Sequence, residues 1–73
     1  MTSRIPALSG TQVVSALAKA GFRHVSQKGS HIKLTNGQRI AIVPLHTTIA
    51  RGTLASILRQ AGLTTKQFLD FLD

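Results

Sequence analysis

The sequence predicts an α+β fold of order α-β-β-β-α with a short extra C-terminal helix, in which a three-stranded antiparallel sheet packs one face on the helices. Three observations predict this fold. One helix-start pattern occurs twice, at residues 8–13 and 63–68; three short alternating segments lie between the first two helices; and Asn36-Gly37 is typical of a hairpin. We expect residues 1–73 to form a single domain, because a chain of this length supports only one small core.

The first helix is expected over residues 10–20. Ser9 stands at the N-cap position and Gln12 follows three residues later, which is the capping-box pattern. Apolar residues at helical spacing form one stripe, namely Val13, Val14, Leu17 and Ala18. Gly21 supplies a residue that can adopt the left-handed conformation at the helix end.

Two more helices are expected in the C-terminal third of the chain. The second covers residues 53–61 and has four apolar residues at helical spacing, Leu54, Ile57, Leu58 and Ala61. Gly62 ends it. Thr64 and Gln67 repeat the capping box and begin a short third helix over residues 65–72.

Three strands are expected between the first two helices, at about residues 22–27, 31–35 and 39–43. Two loops fit the Asn36-Gly37 signal. A two-residue loop places Ile32 opposite Ala41 and divides the isoleucines and leucine of the hairpin between two faces. A three-residue loop places Ile32 opposite Ile40 and is preferred, because it gathers the larger apolar side chains on one face.

This register assigns each hairpin side chain to a face of the sheet. The core face is expected to carry Ile32, Leu34, Ile40 and Ile42. The solvated face is expected to carry His31, Lys33 and Arg39. Pro44 ends the third strand, because proline cannot donate a ladder hydrogen bond.

The charge of the chain is one-sided. Nine lysines and arginines stand against two acids, for a formal net charge of +7. Both acids, Asp70 and Asp73, lie in the last four residues, so residues 1–69 contain no carboxylate. A positive field over most of the surface favours a polyanion, and nucleic acid is the expected partner. A membrane surface fits less well, because no helix has a long basic face.

The composition also excludes several chemistries. The chain has no cysteine, and its acid-free body rules out paired-acid hydrolysis and two-metal phosphoryl transfer. The histidines, at 24, 31 and 46, lack cysteine or acidic partners at ligand spacing, so we expect no metal and no other cofactor. The apolar runs are too short for a bilayer and no secretory signal is evident, which predicts a soluble cytoplasmic protein.

His31 is the preferred candidate for proton transfer. It follows the glycine-containing turn at residues 28–30 and is expected to share a face with Lys33 and Arg39. Histidine exchanges protons near neutral pH, and neighbouring cations can hold phosphate. The candidate RNA-binding residues are Lys28, Gly29, Ser30, Lys33 and Arg39.

The other two histidines are weaker candidates. His24 falls within the first strand and has no neighbouring partner, so we interpret it as a surface or half-buried strand residue. His46 lies in the loop after the third strand, a position where functional groups occur but which does not by itself indicate a role.

RNA is the substrate that one histidine and nearby cations can cleave. Its 2′-hydroxyl is tethered beside the scissile phosphate, so the attack is intramolecular and needs only proton transfer and charge neutralisation. A serine hydrolase built on Ser30 and His31 fits poorly, because adjacent strand residues point apart and no orienting acid is present. The chain has no tryptophan or tyrosine, which favours recognition of RNA backbone and shape over base stacking.

Seven short segments, spread over nearly the whole chain, together form a recognisable pattern. They are residues 8–10, 21–22, 27–31, 43–46, 52–54, 57–63 and Phe68. Together they resemble the HicA (YcfA-like) toxin family of type II toxin–antitoxin systems. The Gly-Ser-His at residues 29–31 and the Gly-Thr-Leu at residues 52–54 are the most specific parts of the resemblance.

The resemblance implies a double-stranded-RNA-binding-domain-like fold and a metal-independent mRNA interferase activity with a role in stress response. The family's catalytic histidine is the one that follows Gly-Ser, which corresponds to His31. His46 matches a recurrent Pro-x-His, but no catalytic role is carried over to it. The resemblance also implies a HicB-like antitoxin that forms a hetero-oligomer with the toxin and blocks its active site. We expect the toxin alone to be a monomer.

Two other interpretations remain at this point. The chain would be a non-catalytic, basic RNA-binding module if it bound RNA in a salt-dependent way without forming products. It would act chiefly as an interaction partner if its basic face were covered by an acidic antitoxin that regulates transcription.

Overall fold

Two capping boxes begin helices where the sequence predicts them. The computed structural model describes residues 7–72, and its first helix, α1, spans Gly10–Lys19. The Ser9 hydroxyl accepts a hydrogen bond from the Gln12 N–H over 3.2 Å, and the Gln12 Oε1 accepts one from the Ser9 N–H over 2.9 Å. Gly21 follows with a φ of 99°, a backbone conformation that glycine adopts without strain. Helix α1 therefore starts as predicted and ends one residue early.

Helices α2 and α3 follow the sheet and lie close to their predicted positions. Helix α2 spans Arg51–Ala61, two residues longer at its start than predicted, and ends at Gly62 with a φ of 71°. Helix α3 spans Thr65–Asp70 and ends two residues early. The Thr64 hydroxyl accepts from the Gln67 N–H over 3.1 Å, which completes the second predicted capping box.

The sheet between α1 and α2 has three antiparallel strands in the order β1-β2-β3. The strands are β1 (Arg23–Lys28), β2 (His31–Thr35) and β3 (Ile40–Pro44). The element order confirms the predicted α+β fold, and it is consistent with a double-stranded-RNA-binding-domain-like arrangement followed by a short extra helix. Among the described residues, no helix combines the length and apolar character that crossing a bilayer requires.

The predicted register of the β2–β3 hairpin is wrong. The loop has four residues, 36–39, and its flanking residues Thr35 and Ile40 pair with each other. Ile32 consequently pairs with Val43, not with Ile40. The two-residue loop is equally absent, although it would have placed the same side chains on each face.

Side chains within the loop account for its length. The Asn36 Oδ1 accepts hydrogen bonds from the Gln38 N–H over 2.9 Å and from the Arg39 N–H over 2.7 Å. The Thr35 hydroxyl donates to the Arg39 carbonyl over 2.8 Å and accepts from the Gly37 N–H over 3.1 Å. The Asn36 N–H also donates to the Arg39 carbonyl over 3.3 Å, so side-chain and backbone bonds together close the loop.

The corrected register changes which apolar residues face the helices. The core face carries Ile32, Leu34, Ala41 and Val43, all of them buried. Ile40 and Ile42, predicted for the core, are 52% and 36% exposed on the opposite face. Ala41 is the smallest of the four and belongs to β3, the strand that both α1 and α2 contact.

The core draws side chains from all three helices and from β2 and β3. Leu17 of α1, Ile57 of α2 and Phe68 of α3 are at most 1% exposed. Phe68 is the largest of the fully buried side chains, so the short last helix completes the core. Among the described residues no polar or charged residue is buried. The charged side chains therefore lie at the surface.

Candidate active site on the open face of the sheet

The turn between β1 and β2 places Lys28 beside His31. Gly29 and Ser30 form a two-residue turn, and Gly29 has a φ of 60°. A glycine with positive φ at the first central position is typical of a type II′ turn, whose twist matches that of the strands. Lys28 and His31 pair directly across this hairpin. Directly opposite residues have Cβ atoms about 4.5–5.5 Å apart, so the ammonium group can reach a phosphate held by the imidazole.

We call the solvent-facing side of the sheet the open face. Its members within the described residues are Arg23, Ser26, Lys28, His31, Lys33, Thr35, Ile40 and Ile42. Lys33 lies between Ser26 on β1 and Ile42 on β3. It is two residues from His31 along β2, a distance of about 7 Å. The structure thus brings Lys28, His31 and Lys33 together on one exposed surface.

Arg39 does not share this surface, which corrects the sequence-based expectation. It belongs to the loop before β3. A Cβ built on Gly62 would lie 2.8 Å from the Arg39 Cδ and 2.7 Å from its Cζ. The Arg39 side chain therefore lies against the C-terminal end of α2, on the helix side of the sheet. There the guanidinium is close to the negative end of the helix dipole.

His46 lies beside His31, a proximity that sequence reasoning missed. The centroids of the two rings are 6.4 Å apart, and their planes meet at 74° in an edge-on arrangement. His46 belongs to the loop after β3 and is exposed. Neither ring has a hydrogen-bond partner among the described residues. Both imidazoles are therefore accessible to a ligand.

The loop that carries His46 is held from two sides. The Leu45 N–H donates to the Ser30 carbonyl over 2.6 Å, which extends the β2–β3 ladder by one bond. The Gly10 N–H donates to the His46 carbonyl over 2.8 Å, which joins the loop to the start of α1. The backbone at His46 is therefore fixed by both of these contacts.

The correct hairpin register would have predicted that His46 lies near His31. Pro44 pairs with His31, so the residue two positions after Pro44 comes back to His31. In the predicted register, His31 would have faced Ala41, and His46 would have lain well beyond the site. Because the loop length was predicted wrongly, the proximity of His46 to His31 was not predicted.

The third histidine lies apart from this pair. His24 pairs with Leu34, whose side chain faces the core, so His24 is placed toward the helix side of the sheet. It is exposed because β1 is an edge strand. Within residues 7–72, no three histidine, cysteine or acidic side chains converge as a potential metal site.

The site is strongly electropositive. Asp70 is the one acid among residues 7–72, and it lies on α3, on the helix side of the molecule. Lys28 and Lys33 are exposed and flank His31 with no carboxylate on the open face. Such an arrangement attracts a phosphodiester and supplies groups that move protons beside it.

Comparison with known proteins identifies the family to which these features belong. A family model described as the HicA toxin of bacterial toxin-antitoxin matches residues 10–63. A search of curated proteins finds no match. The matched segment includes α1, the whole sheet, the His46 loop and α2. The match confirms the resemblance seen in the sequence motifs and implies an antitoxin partner. The chain belongs to the HicA toxin family and is a toxin of a toxin–antitoxin system.

Proposed function

We propose that this toxin is a metal-independent endoribonuclease that cleaves mRNA in the cytoplasm, with His31 as the catalytic general acid/base. The observation that carries the proposal is the direct pairing of Lys28 with His31 on an exposed face without acids. Membership of the HicA toxin family supports a toxin role. The side chains of the open face support RNA cleavage as the way in which the toxin acts.

The proposed chemistry depends on the 2′-hydroxyl of RNA, which serves as the nucleophile. The 2′-hydroxyl attacks the adjacent phosphorus, so the protein needs neither its own nucleophile nor a positioned water. His31 would exchange a proton with the reacting oxygens, while Lys28 and Lys33 would neutralise the charge that develops on the phosphate. Those cations take the part that a metal ion plays in other nucleases, which is why we expect activity without metal.

RNA binding would use the turn as well as the lysines. Gly29 has no Cβ, so the backbone of Gly29 and Ser30 can approach a phosphate closely. Lys28 and Lys33 would contact phosphates on either side of His31. Arg39, on the other side of the sheet, would contact RNA only at the β2–β3 loop.

The proposed protein partner is a HicB-like antitoxin that covers the open face in a hetero-oligomer. Lysines stand there beside exposed apolar side chains, including Ile40 and Ile42. A partner with both acidic and apolar groups would complement it. An antitoxin reading frame beside the gene, whose product inhibits cleavage, would support this assignment.

The test is RNA cleavage by the wild-type protein and by His31→Ala in buffer that contains EDTA. We expect the wild type to produce fragments with 2′,3′-cyclic phosphate ends, and His31→Ala to lose at least about 10²-fold in rate while still binding RNA. His24→Ala is the matched control, because that histidine is exposed but lies away from the open face. Undiminished cleavage by His31→Ala would remove its assigned role. Salt-dependent binding without products from the wild type would favour a non-catalytic RNA-binding module instead.

A further inference from the structure

We propose that His46 is a second catalytic residue, so that the two proton transfers of RNA cleavage are divided between His31 and His46. This inference rests on the proposed ribonuclease function and deepens it. It starts from the edge-on approach of the two rings, with 6.4 Å between their centroids.

The separation of the rings leaves both accessible to one phosphodiester that lies beside them. Neither ring is hydrogen-bonded to the other or to another described residue. A group that moves a proton must lie about 2.6–3.2 Å from the oxygen concerned, and rings with centroids 6.4 Å apart can each contact a different oxygen of that phosphodiester. A phosphodiester beside the pair can therefore present one reacting oxygen to each imidazole. The attacking and leaving oxygens lie on opposite sides of phosphorus in an in-line displacement, which calls for two groups in different places.

The position of His46 is built into the fold. Its carbonyl accepts the Gly10 N–H, and the preceding residue, Leu45, donates to the Ser30 carbonyl. Ser30 is in turn the residue before His31. One backbone bond thus connects the segments that carry the two histidines, which maintains their relative position without a ligand.

The positions of Lys28 and His46 around His31 support separate roles for the lysine and the two histidines. Lys28 lies across β1–β2 from His31, whereas His46 lies on the β3 side. A phosphate at His31 therefore has an ammonium group on one side and a second imidazole on the other. Lysine remains protonated near neutral pH and can neutralise the non-bridging oxygens, while only the histidines exchange protons readily there.

The proposed step balances. One neutral imidazole takes the proton of the 2′-hydroxyl as the 2′-oxygen forms a bond to phosphorus. The bond from phosphorus to the 5′-oxygen breaks, and the second histidine, as imidazolium, gives its proton to that oxygen. The products are a 2′,3′-cyclic phosphate and a 5′-hydroxyl. The two histidines finish with exchanged protonation states and are reset by proton exchange with water.

The experiment compares two RNA oligonucleotides that differ by one atom. The first has the mapped cleavage site, and the second has sulfur in place of the 5′-bridging oxygen at that site. A thiolate leaves without being protonated, so the second oligonucleotide needs the base but not the acid. Wild type, His31→Ala and His46→Ala are each measured on both under single-turnover conditions. Circular dichroism and RNA binding verify the fold of each variant.

We expect both variants to lose about 10²–10⁴-fold in rate on the natural oligonucleotide. One of them, and only one, should regain most of that rate on the sulfur-containing oligonucleotide, and that variant lacks the general acid. His24→Ala should resemble the wild type on both. His46→Gln, which keeps a polar side chain of similar size, should be impaired as His46→Ala is.

Two results would overturn the role of His46. The first is cleavage of the natural oligonucleotide by His46→Ala within about threefold of the wild type. The second is an equal response of His31→Ala and His46→Ala to sulfur, which would mean that His46 only positions the His31 ring through edge-on contact. Either result would leave the proposed nuclease intact if His31→Ala remained inactive. An inactive wild type would instead refute the nuclease itself.

Discussion

The backbone N–H of Gly10 donates to the carbonyl of His46 over 2.8 Å, which joins the first residue of α1 to the loop beside the candidate site. The same glycine is in close contact with that loop. A Cβ at residue 10 would overlap the Pro44 carbonyl oxygen and lie 2.7 Å from the Leu45 Cα. The start of the first helix and the position of the second histidine are therefore coupled.

Gly10→Ala is predicted to destabilise the protein and displace the His46 loop. The atoms that a methyl group would meet belong to the backbone, so they can move only with the loop itself. We expect the free energy of unfolding to fall by about 1–3 kcal/mol. Cleavage should fall more than RNA binding does. Urea unfolding and single-turnover cleavage measure the two effects.

Gly52→Ala is the matched control for this variant. Gly52 lies in the first turn of α2, and a Cβ there would meet no atom within 4 Å. We expect no loss of stability, or a gain of up to about 1 kcal/mol from the higher helix propensity of alanine. If Gly10→Ala had the same free energy of unfolding as the wild type, the His46 loop would tolerate the displacement at no cost and the prediction would be wrong.

Gly29→Ala is predicted to weaken the turn that pairs Lys28 with His31. Gly29 has a φ of 60° and no neighbour within 4 Å of a built Cβ, so the cost comes from the backbone alone. A non-glycine residue at this positive φ costs about 1–3 kcal/mol. Thermal unfolding measures this cost. Gly29→Asn should lose less, because asparagine tolerates positive φ better than alanine does; the opposite order would argue against the turn geometry.

Lys28→Ala and Lys33→Ala are predicted to weaken RNA binding in a salt-dependent manner. Each removes one cation from the open face, and each lost phosphate contact should reduce the slope of log affinity against log salt concentration by about 1. Binding titrations at several salt concentrations measure that slope. Lys66→Ala is the control, because Lys66 is exposed on α3, away from the sheet surface. A slope reduced equally in all three variants would indicate that RNA has no preferred face.

Ile42→Thr and Val43→Thr are predicted to differ in cost, which tests the hairpin register. Ile42 is 36% exposed and Val43 is fully buried. The threonine hydroxyl remains in water at residue 42 but enters the core at residue 43. We expect about 0.5 kcal/mol or less for the first and about 1–3 kcal/mol for the second. If urea unfolding gave the larger loss for Ile42→Thr, the sheet faces would be reversed.

The helices and their ends were predictable because their signals are local. A capping box joins residues three positions apart, so Ser9 with Gln12 and Thr64 with Gln67 could be recognised without knowledge of the rest of the chain. The errors at helix ends are one or two residues. The start of α2 has no side-chain cap to mark it.

The register of β2 and β3 was not predictable from the same kind of signal. The sequence preference for gathering isoleucines on one face was overruled by the hydrogen bonds of Asn36 and Thr35, which close a four-residue loop. Ala41 and Val43 consequently lie on the inner face of β3, the strand that both α1 and α2 contact. The space available to each core-facing strand residue depends on the helix side chains that pack against it. That packing exists only in the folded molecule.

By itself, the sequence determined the element order, the absence of acids from residues 1–69, the membership of the HicA toxin family and the choice of His31 as the first histidine to test. The tertiary structure alone decided that Arg39 lies on the helix side of the sheet and that His46 lies beside His31. The reason is physical. Composition and short-range capping act within a few residues, whereas the approach of two rings fifteen positions apart depends on strand register and on backbone bonds between distant segments.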